Sequence, residues 1–351
     1  MVSFSSGHID RLCDTEGVMQ YKEKGYQVVC VGAGLMFKKF FDEPEGKSIA
    51  AIVDGVADNS PDKVGKNVEI GENSFRVDLP KSFASDEKKI LWFITTKYFD
   101  ELLIQLSSLL KNDDRCVLLV DITYSVARKN LTKRNAELII HNDGVRKIPK
   151  VIHYCWFGKN KIPDEYQKWM SSWKTYCPDY EIMEWNDNNY DVNAIPYIAQ
   201  AYEAKKYAFV SDYARLDVIY KYGGVYLDTD VELLKNLDPL LCQNGFLCFE
   251  SDNFVATGLG FGAVKGQPVI KAFMDDYQEN QFSLENMETC PVKQTRILEK
   301  MGLKRNGEFQ QIDGINVYPQ PLLNPMVSYR TKEILSLSNS YAIHHYAGSW
   351  L

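Results

Sequence analysis

Short, continuous apolar runs alternate with stretches of helical spacing along most of this 351-residue chain. In its first part the apolar runs cover residues 26–31, 49–53, 89–95 and 116–123, and residues 98–111 have helical spacing. Fully apolar strands that alternate with helices are typical of parallel sheets covered by helices on both faces. The alternation therefore predicts a doubly wound α/β fold for this part.

The same alternation continues in the second part of the chain. Strands are predicted within residues 149–158 and at 180–185, 225–227 and 245–251, and helices at 165–178, 196–207 and 209–222. The polar segment 141–150 contains Gly144 and Pro149 and is interpreted as a linker. We therefore predict two α/β domains, residues 1–145 and residues 146–351.

Charge and cysteine usage exclude several functional classes. The net charge is −7, and Lys and Arg never run beyond adjacent pairs, so no nucleic acid partner is expected. The eight cysteines form no CxxC pair and no zinc-site spacing, which indicates a reducing compartment. The N-terminus lacks signal-peptide features, and no apolar stretch reaches about 18 residues. A cytoplasmic protein without a transmembrane segment is expected.

The strongest local signal is the triplet Asp228-Thr229-Asp230, which follows the apolar strand 225–227. In open α/β sheets the ligand crevice lies beyond the carboxyl ends of the strands. Two carboxylates there can bind a hard divalent cation that keeps coordination sites for substrate phosphates. A solvated turn at a strand end is the alternative reading of the triplet alone.

The helix before this strand adds two charged groups. Asp212 and Arg215 are three residues apart, so they share a helix face and can pair. A surface ion pair is the alternative interpretation. With the Gly-Gly turn and the triplet that follow, the four charged groups are expected around one cleft.

The stretch VSDYARLDVIYKYGGVYLDTDVELLKNLD resembles the core of the DXD-containing sugar-binding glycosyltransferases, glycosyltransferase family 32. IPKVIHYCWFG and SWKTYCPDYEIMEWND are similar to the same family, and the resemblance covers residues 148–351. It implies a GT-A (nucleotide-diphospho-sugar transferase) fold and transfer with retention of anomeric configuration. It also implies a nucleotide-sugar donor, with UDP expected, and a saccharide acceptor in surface or capsular polysaccharide synthesis.

The resemblance also implies roles for individual residues. Trp156 would stack on the donor base, and Tyr226 would lie beside the nucleotide. Asp212 and Arg215 would hold the donor sugar, and Ser211 would lie beside them. Asp228 would contact the ribose. Asp230 would bind Mn²⁺ or Mg²⁺ directly, and Asp228 would do so through water. The catalytic set is then Asp212, Arg215, Asp228 and Asp230.

The C-terminal AIHHYAGSWL resembles the late His/Gly element that completes the metal and diphosphate site in glycosyltransferases of this fold. It implies His345 as third metal ligand, with Ser349 and Trp350 near the diphosphate. Adjacent strand residues point to opposite faces, so His344 is expected to face elsewhere. Cys290 stands where the family's acceptor-side loop usually has glycine.

The first domain carries part of a dinucleotide-binding fingerprint. Gly32 and Gly34 follow a strand, and Asp54 lies where a ribose-binding acid belongs, but Phe37 replaces the third small residue. This domain resembles the Rossmann-like front domain of sugar acyltransferases. Because the fingerprint is incomplete, a scaffold or regulatory role is favoured over nucleotide binding.

Two other functions are consistent with parts of the pattern. A haloacid dehalogenase-type phosphatase also places DxD after an apolar strand, although its mechanism has no place for the upstream Asp and Arg. A non-catalytic nucleotide-sugar sensor would bind donor without turnover. An NAD-dependent oxidoreductase is disfavoured by Phe37.

Overall fold

The computed structural model describes residues 9–10, 14–83, 89–96, 102, 105–106, 118–251, 254–284, 288–328 and 333–347. Within these ranges we find no helix whose length and apolar character would let it span a bilayer.

The chain forms two compact units, residues 1–130 and 131–351. The division lies earlier than the predicted boundary after residue 145, because the predicted linker belongs to the second unit. The amide of His141 donates to the Tyr318 hydroxyl at 3.0 Å, and Ile148 is fully buried in the second unit's core.

The first unit is built on a sheet whose strand order is β1-β7-β6-β2-β3-β5-β4. The strands are β1 Ile9–Asp10, β2 Gln27–Val31, β3 Gly55–Ala57, β4 Asn67–Ile70, β5 Asn73–Asp78, β6 Ile90–Ile94 and β7 Leu118–Asp121. Helices α1 Thr15–Glu23, α2 Leu35–Asp42 and α3 Pro44–Ile49 lie within this unit, and α4 Ile122–Glu137 follows β7. All described pairs are parallel except β4–β5, so the parallel sheet was predicted correctly apart from this edge hairpin.

One predicted strand of the first unit is wrong. Residues 49–53 contain the end of α3 and a 3₁₀ turn at Ala50–Ile52, and the strand begins only at Gly55. A short apolar run does not distinguish a buried helix end from a strand. Of the helix predicted at 98–111, residues 102 and 105–106 are helical and the others lie outside the described residues.

The second unit contains a larger mixed sheet of order β15-β16-β12-β14-β10-β8-β9, with β13 paired to β12. Its strands are β8 Val151–Cys155, β9 Glu181–Trp185, β10 Gly224–Tyr226, β12 Gly245–Ser251, β13 Phe254–Val255, β14 Phe261–Ala263, β15 Gln310–Ile312 and β16 Ile315–Tyr318. Two small sheets join β11 Val231–Leu233 to β19 Ala342–His344 and β17 Met326–Ser328 to β18 Glu333–Ile334. The helices are α5 Asp164–Tyr176, α6 Pro196–Glu203, α7 Tyr207–Tyr222, α8 Pro268–Glu279 and α9 Cys290–Lys300.

Strand direction in this larger sheet brings several strand ends to one edge. β8 and β10 are parallel, and β14 is antiparallel to both β10 and β12. β12 therefore runs in the same direction as β8 and β10, and the carboxyl ends of all three meet at one edge. Both faces of the sheet are buried, since Phe246 and Cys248 join one apolar cluster and Leu247 and Phe249 the other.

Two glycines make the sharp turn from α7 into β10. Gly223 ends the helix with φ +69°, and Gly224 starts the strand with φ +115°. A Cβ on Gly224 would lie 2.9 Å from the Val151 carbonyl oxygen and 2.9 Å from His153 Nε2. The turn thus requires glycine for both its backbone conformation and its close packing.

Gly224→Ala is therefore expected to lower the free energy of unfolding by about 2–4 kcal/mol, because overpacking adds to an unfavourable φ. Gly266→Ala is a matched control: Gly266 has φ +76°, but a Cβ there would meet no atom within 4 Å. The control should lose only about 1 kcal/mol. Urea unfolding of both variants measures the difference, and equal losses would contradict the packing argument.

Candidate active site

The two acidic residues of the triplet lie in the turn between β10 and β11. β19 pairs with β11 so that His344 is opposite Val231, directly after Asp230. Ligand atoms of Asp228, Asp230 and His344 all lie within 4.8 Å of one another. The distal strand β19 thus adds a histidine to the carboxylate pair.

This arrangement corrects the histidine predicted as metal ligand. His344 Nε2 lies 3.2 Å from Asp230 Oδ1, whereas His345 stacks on Trp169 with ring centroids 4.2 Å apart and its Nε2 lies 2.9 Å from Glu232 Oε2. Adjacent strand residues do point to opposite faces, as expected. The β11–β19 register decides which face meets the carboxylates, and the sequence does not show this register.

Asp212 and Arg215 of α7 lie next to the triplet and are buried. Arg215 Nη2 is 3.0 Å from Asp212 Oδ1 and 3.4 Å from Asp228 Oδ1. Arg215 Nε also donates to the Ser211 carbonyl oxygen at 3.1 Å. The predicted grouping of Asp212, Arg215 and Asp228 in one place is thus present in the structure, and the pair is not a surface ion pair.

Tyr226 lies behind Asp228 and is fully buried. Its hydroxyl donates to Asp228 Oδ1 at 2.9 Å, and the Arg215 guanidinium lies 5.1 Å from the ring centroid. The expected position beside a nucleotide is therefore not available to this ring. We expect Tyr226 to act through Asp228, whose orientation it fixes.

One hydrogen-bond donor in this group is left without a partner among the described residues, and Gly258 packs closely against it. Arg215 Nη1 is buried and has no hydrogen-bond partner within the described part of the chain. A Cβ on Gly258 would lie 3.0 Å from Asp228 Oδ2 and 3.3 Å from Arg215 Nη1. A buried donor without a partner costs free energy unless a ligand satisfies it. The geometry is thus suited to a ligand that carries oxygen acceptors.

The electrostatics of the carboxylates differ from one to the next. Burial raises the pKa of Asp228, although Arg215 opposes this effect. Burial would also raise the pKa of Asp230, but His344 and the Ala347 amide outweigh it and lower that pKa to about 2. Burial would lower the pKa of His344, but Asp230 and Asp228 raise it overall. Asp230 is therefore ionised at neutral pH, as a metal ligand must be.

The three-residue cluster fits a divalent cation. Two oxygen ligands and one imidazole suit Mn²⁺. Mg²⁺ binds carboxylate oxygens at about 2.1 Å, so two ligand atoms on opposite sides of the ion are about 4.2 Å apart. The separations within the cluster are compatible with that spacing. His344 Nδ1 is buried and has no partner among the described residues, so Nε2 is the ring nitrogen that faces the carboxylates.

The other predicted donor residues within the described ranges, Trp156 and Ser211, are both half-buried. Trp156 follows β8, and its indole N–H donates to the Asn160 carbonyl oxygen at 2.6 Å. Its ring makes an edge contact with Tyr166 at 6.1 Å between centroids. The Ser211 hydroxyl donates back to the Tyr207 carbonyl oxygen. Ser349 and Trp350 lie outside the described residues.

An aromatic cleft that no sequence pattern predicted adjoins the cluster. Its volume is about 290 Å³, and it is lined by Glu165, Tyr166, Trp169, Met326, Ile334, His345 and Ala347. Tyr166 and Trp169 are three residues apart on α5, a spacing that could have indicated a shared helix face. The Ala347 amide, which donates to Asp230 Oδ2 at 3.0 Å, joins the cleft to the cluster.

In the first unit, the proposed ribose-binding acid is engaged elsewhere. Asp54 accepts from the Val28 amide at 2.7 Å and pairs with Lys22. The glycine turn is closed by Asp58, which accepts from the Ala33 amide at 2.7 Å. A carboxylate on the turn amide would repel a phosphate. These contacts favour the scaffold role proposed for this unit.

Asp212 makes a pH-dependent contribution to stability. Burial raises the pKa of Asp212 to about 6, against the opposing effect of Arg215. The pKa of an aspartate in the unfolded chain is about 4, so the protonated Asp212 stabilises the fold fully below pH 4. This stabilisation is lost as the pH rises through about 6, the pKa of Asp212 in the folded protein. Two pKa units correspond to about 3 kcal/mol.

Asp212→Asn is therefore expected to be more stable than the wild type at pH 7.5, by up to about 3 kcal/mol, and to lose this advantage at pH 4.5. Thermal unfolding at both pH values, without added metal, measures the difference. Asp230→Asn is a control with the opposite sign. The lowered pKa of Asp230 stabilises the folded protein at neutral pH, and this stabilisation is lost in acid, so the variant should be less stable than the wild type at pH 7.5. A pH-independent difference for Asp212→Asn would contradict the assignment.

A model of the glycosyltransferase sugar-binding region containing a DXD motif matches residues 163–247. Inositol phosphoceramide mannosyltransferase 3 of Schizosaccharomyces pombe is 32% identical over 138 residues, 37% of this chain and 37% of that protein. The α-1,4-N-acetylglucosaminyltransferase of Homo sapiens is 28% identical over 124 residues, 34% of each chain. Uncharacterized glycosyltransferase L373 of Acanthamoeba polyphaga mimivirus is 25% identical over 211 residues, 58% of this chain and 84% of that protein.

The chain spans 37% of the length of the first of these relatives and 34% of the second. The matched region 163–247 contains α7, with Asp212 and Arg215, and the triplet itself. Residues 163–247 are therefore similar to the sugar-binding region of DXD-containing glycosyltransferases, and the DXD motif of this region is Asp228-Thr229-Asp230.

Proposed function

We propose that the chain is a metal-dependent, retaining glycosyltransferase that moves a sugar from a nucleotide sugar to a saccharide acceptor. The observation that carries this proposal is the cluster of Asp228, Asp230 and His344 directly beside the buried Asp212–Arg215 pair. One part of the site suits a cation and the other suits sugar hydroxyls, and the two meet at Asp228.

Asp228, Asp230 and His344 would hold Mn²⁺ or Mg²⁺. When bound, the metal supplies positive charge that stabilises a leaving diphosphate. Arg215 presents a free guanidinium N–H to the donor, and Asp212 accepts hydrogen bonds from sugar hydroxyls. Tyr226 and Arg215 keep Asp228 in one orientation, so little reorganisation is needed when charge develops.

The donor and acceptor are finer parts of the proposal. UDP is the expected carrier from the family resemblance, and GDP is used by some members of that family. The names of the relatives specify mannosyl and N-acetylglucosaminyl transfer, so mannose and N-acetylglucosamine join the candidate sugars. A role in surface or capsular polysaccharide synthesis and a cytoplasmic location are supported by the sequence arguments alone.

A screen of UDP- and GDP-sugars with Mn²⁺ and a panel of methyl hexosides tests this function. We expect transfer, or slow donor hydrolysis, with at least one nucleotide sugar, and loss of turnover in excess chelator. Phosphate release from p-nitrophenyl phosphate without sugar transfer would favour the phosphatase instead. Donor binding without turnover in any combination would favour the sensor.

A further inference from the structure

Glu250 is a half-buried carboxylate that none of the roles above uses. It lies near the carboxyl end of β12, where the register against β13 shifts between Phe249 and Ser251. Such bulges redirect a side chain and are frequent beside active sites. Burial raises the pKa of Glu250, while His344 and the Tyr346 hydroxyl oppose this effect. The carboxyl of Glu250 therefore interacts electrostatically with His344, the histidine of the three-residue cluster.

The sheet order puts Glu250 next in line after the donor residues. β8, β10 and β12 run in one direction, and Trp156, Asp228 and Glu250 lie at their carboxyl ends. In the proposed function the donor base is at Trp156 and its diphosphate is at the triplet. In the same direction across the sheet, past the antiparallel β14, the next carboxyl end is that of β12. It lies beyond the diphosphate, on the side where an acceptor would approach.

Cys290 connects Glu250 to the donor-sugar groups. Its thiol interacts with the Asp212 carboxyl, and its pKa is raised first by burial and then by Asp212, with a further contribution from Glu250. Glu250 is therefore within electrostatic range of both the metal cluster and the Asp212 pocket.

Tyr346 positions this carboxylate through an uncommon backbone conformation. It has φ +48°, which non-glycine residues rarely adopt and which is typical of functional sites. Its hydroxyl accepts from Asn324 Nδ2 at 2.8 Å and is left to donate to Glu250. Its ring meets His344 edge-on, with centroids 4.2 Å apart. The carboxylate and the metal-ligand histidine are thus fixed by one side chain.

We propose that Glu250 accepts a hydrogen bond from the acceptor hydroxyl that attacks the donor sugar. This inference rests on the proposed function. An ionised carboxylate has only acceptor sites, and the Tyr346 hydroxyl occupies one of them. The remaining sites suit a polyhydroxylated acceptor, and a hydroxyl oriented in this way is placed for reaction at the donor carbon.

Glu250→Gln tests this role while preserving shape. With the nucleotide sugar that proves active in the screen and a methyl hexoside as acceptor, we expect kcat for transfer to fall about 100-fold. Hydrolysis of the donor by water and the Kd for donor with Mn²⁺ should change less than about 3-fold, because neither requires the acceptor. Glu184→Gln is the matched control, since Glu184 also lies on a strand and accepts a tyrosine hydroxyl, from Tyr154 at 2.8 Å.

If Glu250→Gln loses sugar transfer but keeps donor hydrolysis and donor binding at the wild-type level, the role of Glu250 is supported. Transfer at the wild-type rate, or parallel loss of donor binding, would overturn it. If Glu250→Gln does not fold, Tyr346→Phe replaces it and should lower transfer about 10-fold with hydrolysis kept; unchanged transfer would again overturn the inference. Failure of the proposed function has a different signature, because the wild type itself would then transfer no sugar.

Discussion

Asp230→Asn is expected to lower the rate of sugar transfer by about 10³-fold or more at saturating Mn²⁺. Asparagine keeps the shape of the side chain but removes its charge, and preorganised charge at such a site contributes a factor of about 10²–10³ per group. Asp230 also interacts with His344 and with the Ala347 amide, so the loss should weaken the whole cluster. Steady-state transfer kinetics across a range of Mn²⁺ concentrations measure the effect.

Glu232→Gln is the matched control for this variant. Glu232 lies two residues further along, on β11, and pairs with His345 outside the three-residue cluster. Its rate should stay within about 3-fold of the wild type. Near-normal transfer by Asp230→Asn would refute the metal assignment, as would equal donor affinity with and without excess chelator.

Local signals predicted most of the second unit's secondary structure. The strand predicted at 180–185 is Glu181–Trp185, the strand at 245–251 is confirmed, and the helix predicted at 209–222 is Tyr207–Tyr222. Each has strong apolar periodicity and clear end signals, such as the glycine after α7. The same local signals predicted the Asp212–Arg215 pair, because three-residue spacing on a helix fixes proximity.

Contacts between distant segments were not predictable in the same way. His344 meets Asp230 only because β19 pairs with β11 in one particular register. A shift of that register by one residue would exchange the two histidines. Glu250 interacts with His344 and Tyr346 because of the strand order and a bulge, and neither leaves a clear pattern in the sequence.

The second large effect is expected from replacing His344, which the structure places in the three-residue cluster, compared with replacing His345. His344→Ala should raise the Mn²⁺ concentration for half-maximal transfer by about 100-fold and lower kcat. Loss of a residue that only hydrogen-bonds to a metal ligand already costs about 10–100-fold in metal affinity, and His344 is itself expected to be a ligand. His345→Ala should leave the Mn²⁺ requirement within about 3-fold of wild type. It should instead lower the unfolding free energy by about 1 kcal/mol, because it removes the stacking on Trp169. Metal titration of transfer and thermal unfolding separate the two effects.

The protonation of His344 gives this prediction a pH dependence. Burial would lower the pKa of His344, but Asp230 and Asp228 raise it in the metal-free protein, so binding a cation must displace a proton. The apparent Mn²⁺ affinity of the wild type should therefore fall as pH is lowered below neutrality. His344→Ala has no such proton to displace, and its weaker affinity should depend less on pH over the same range. If His345→Ala alone flattened this dependence, the cluster would have been assigned to the wrong histidine.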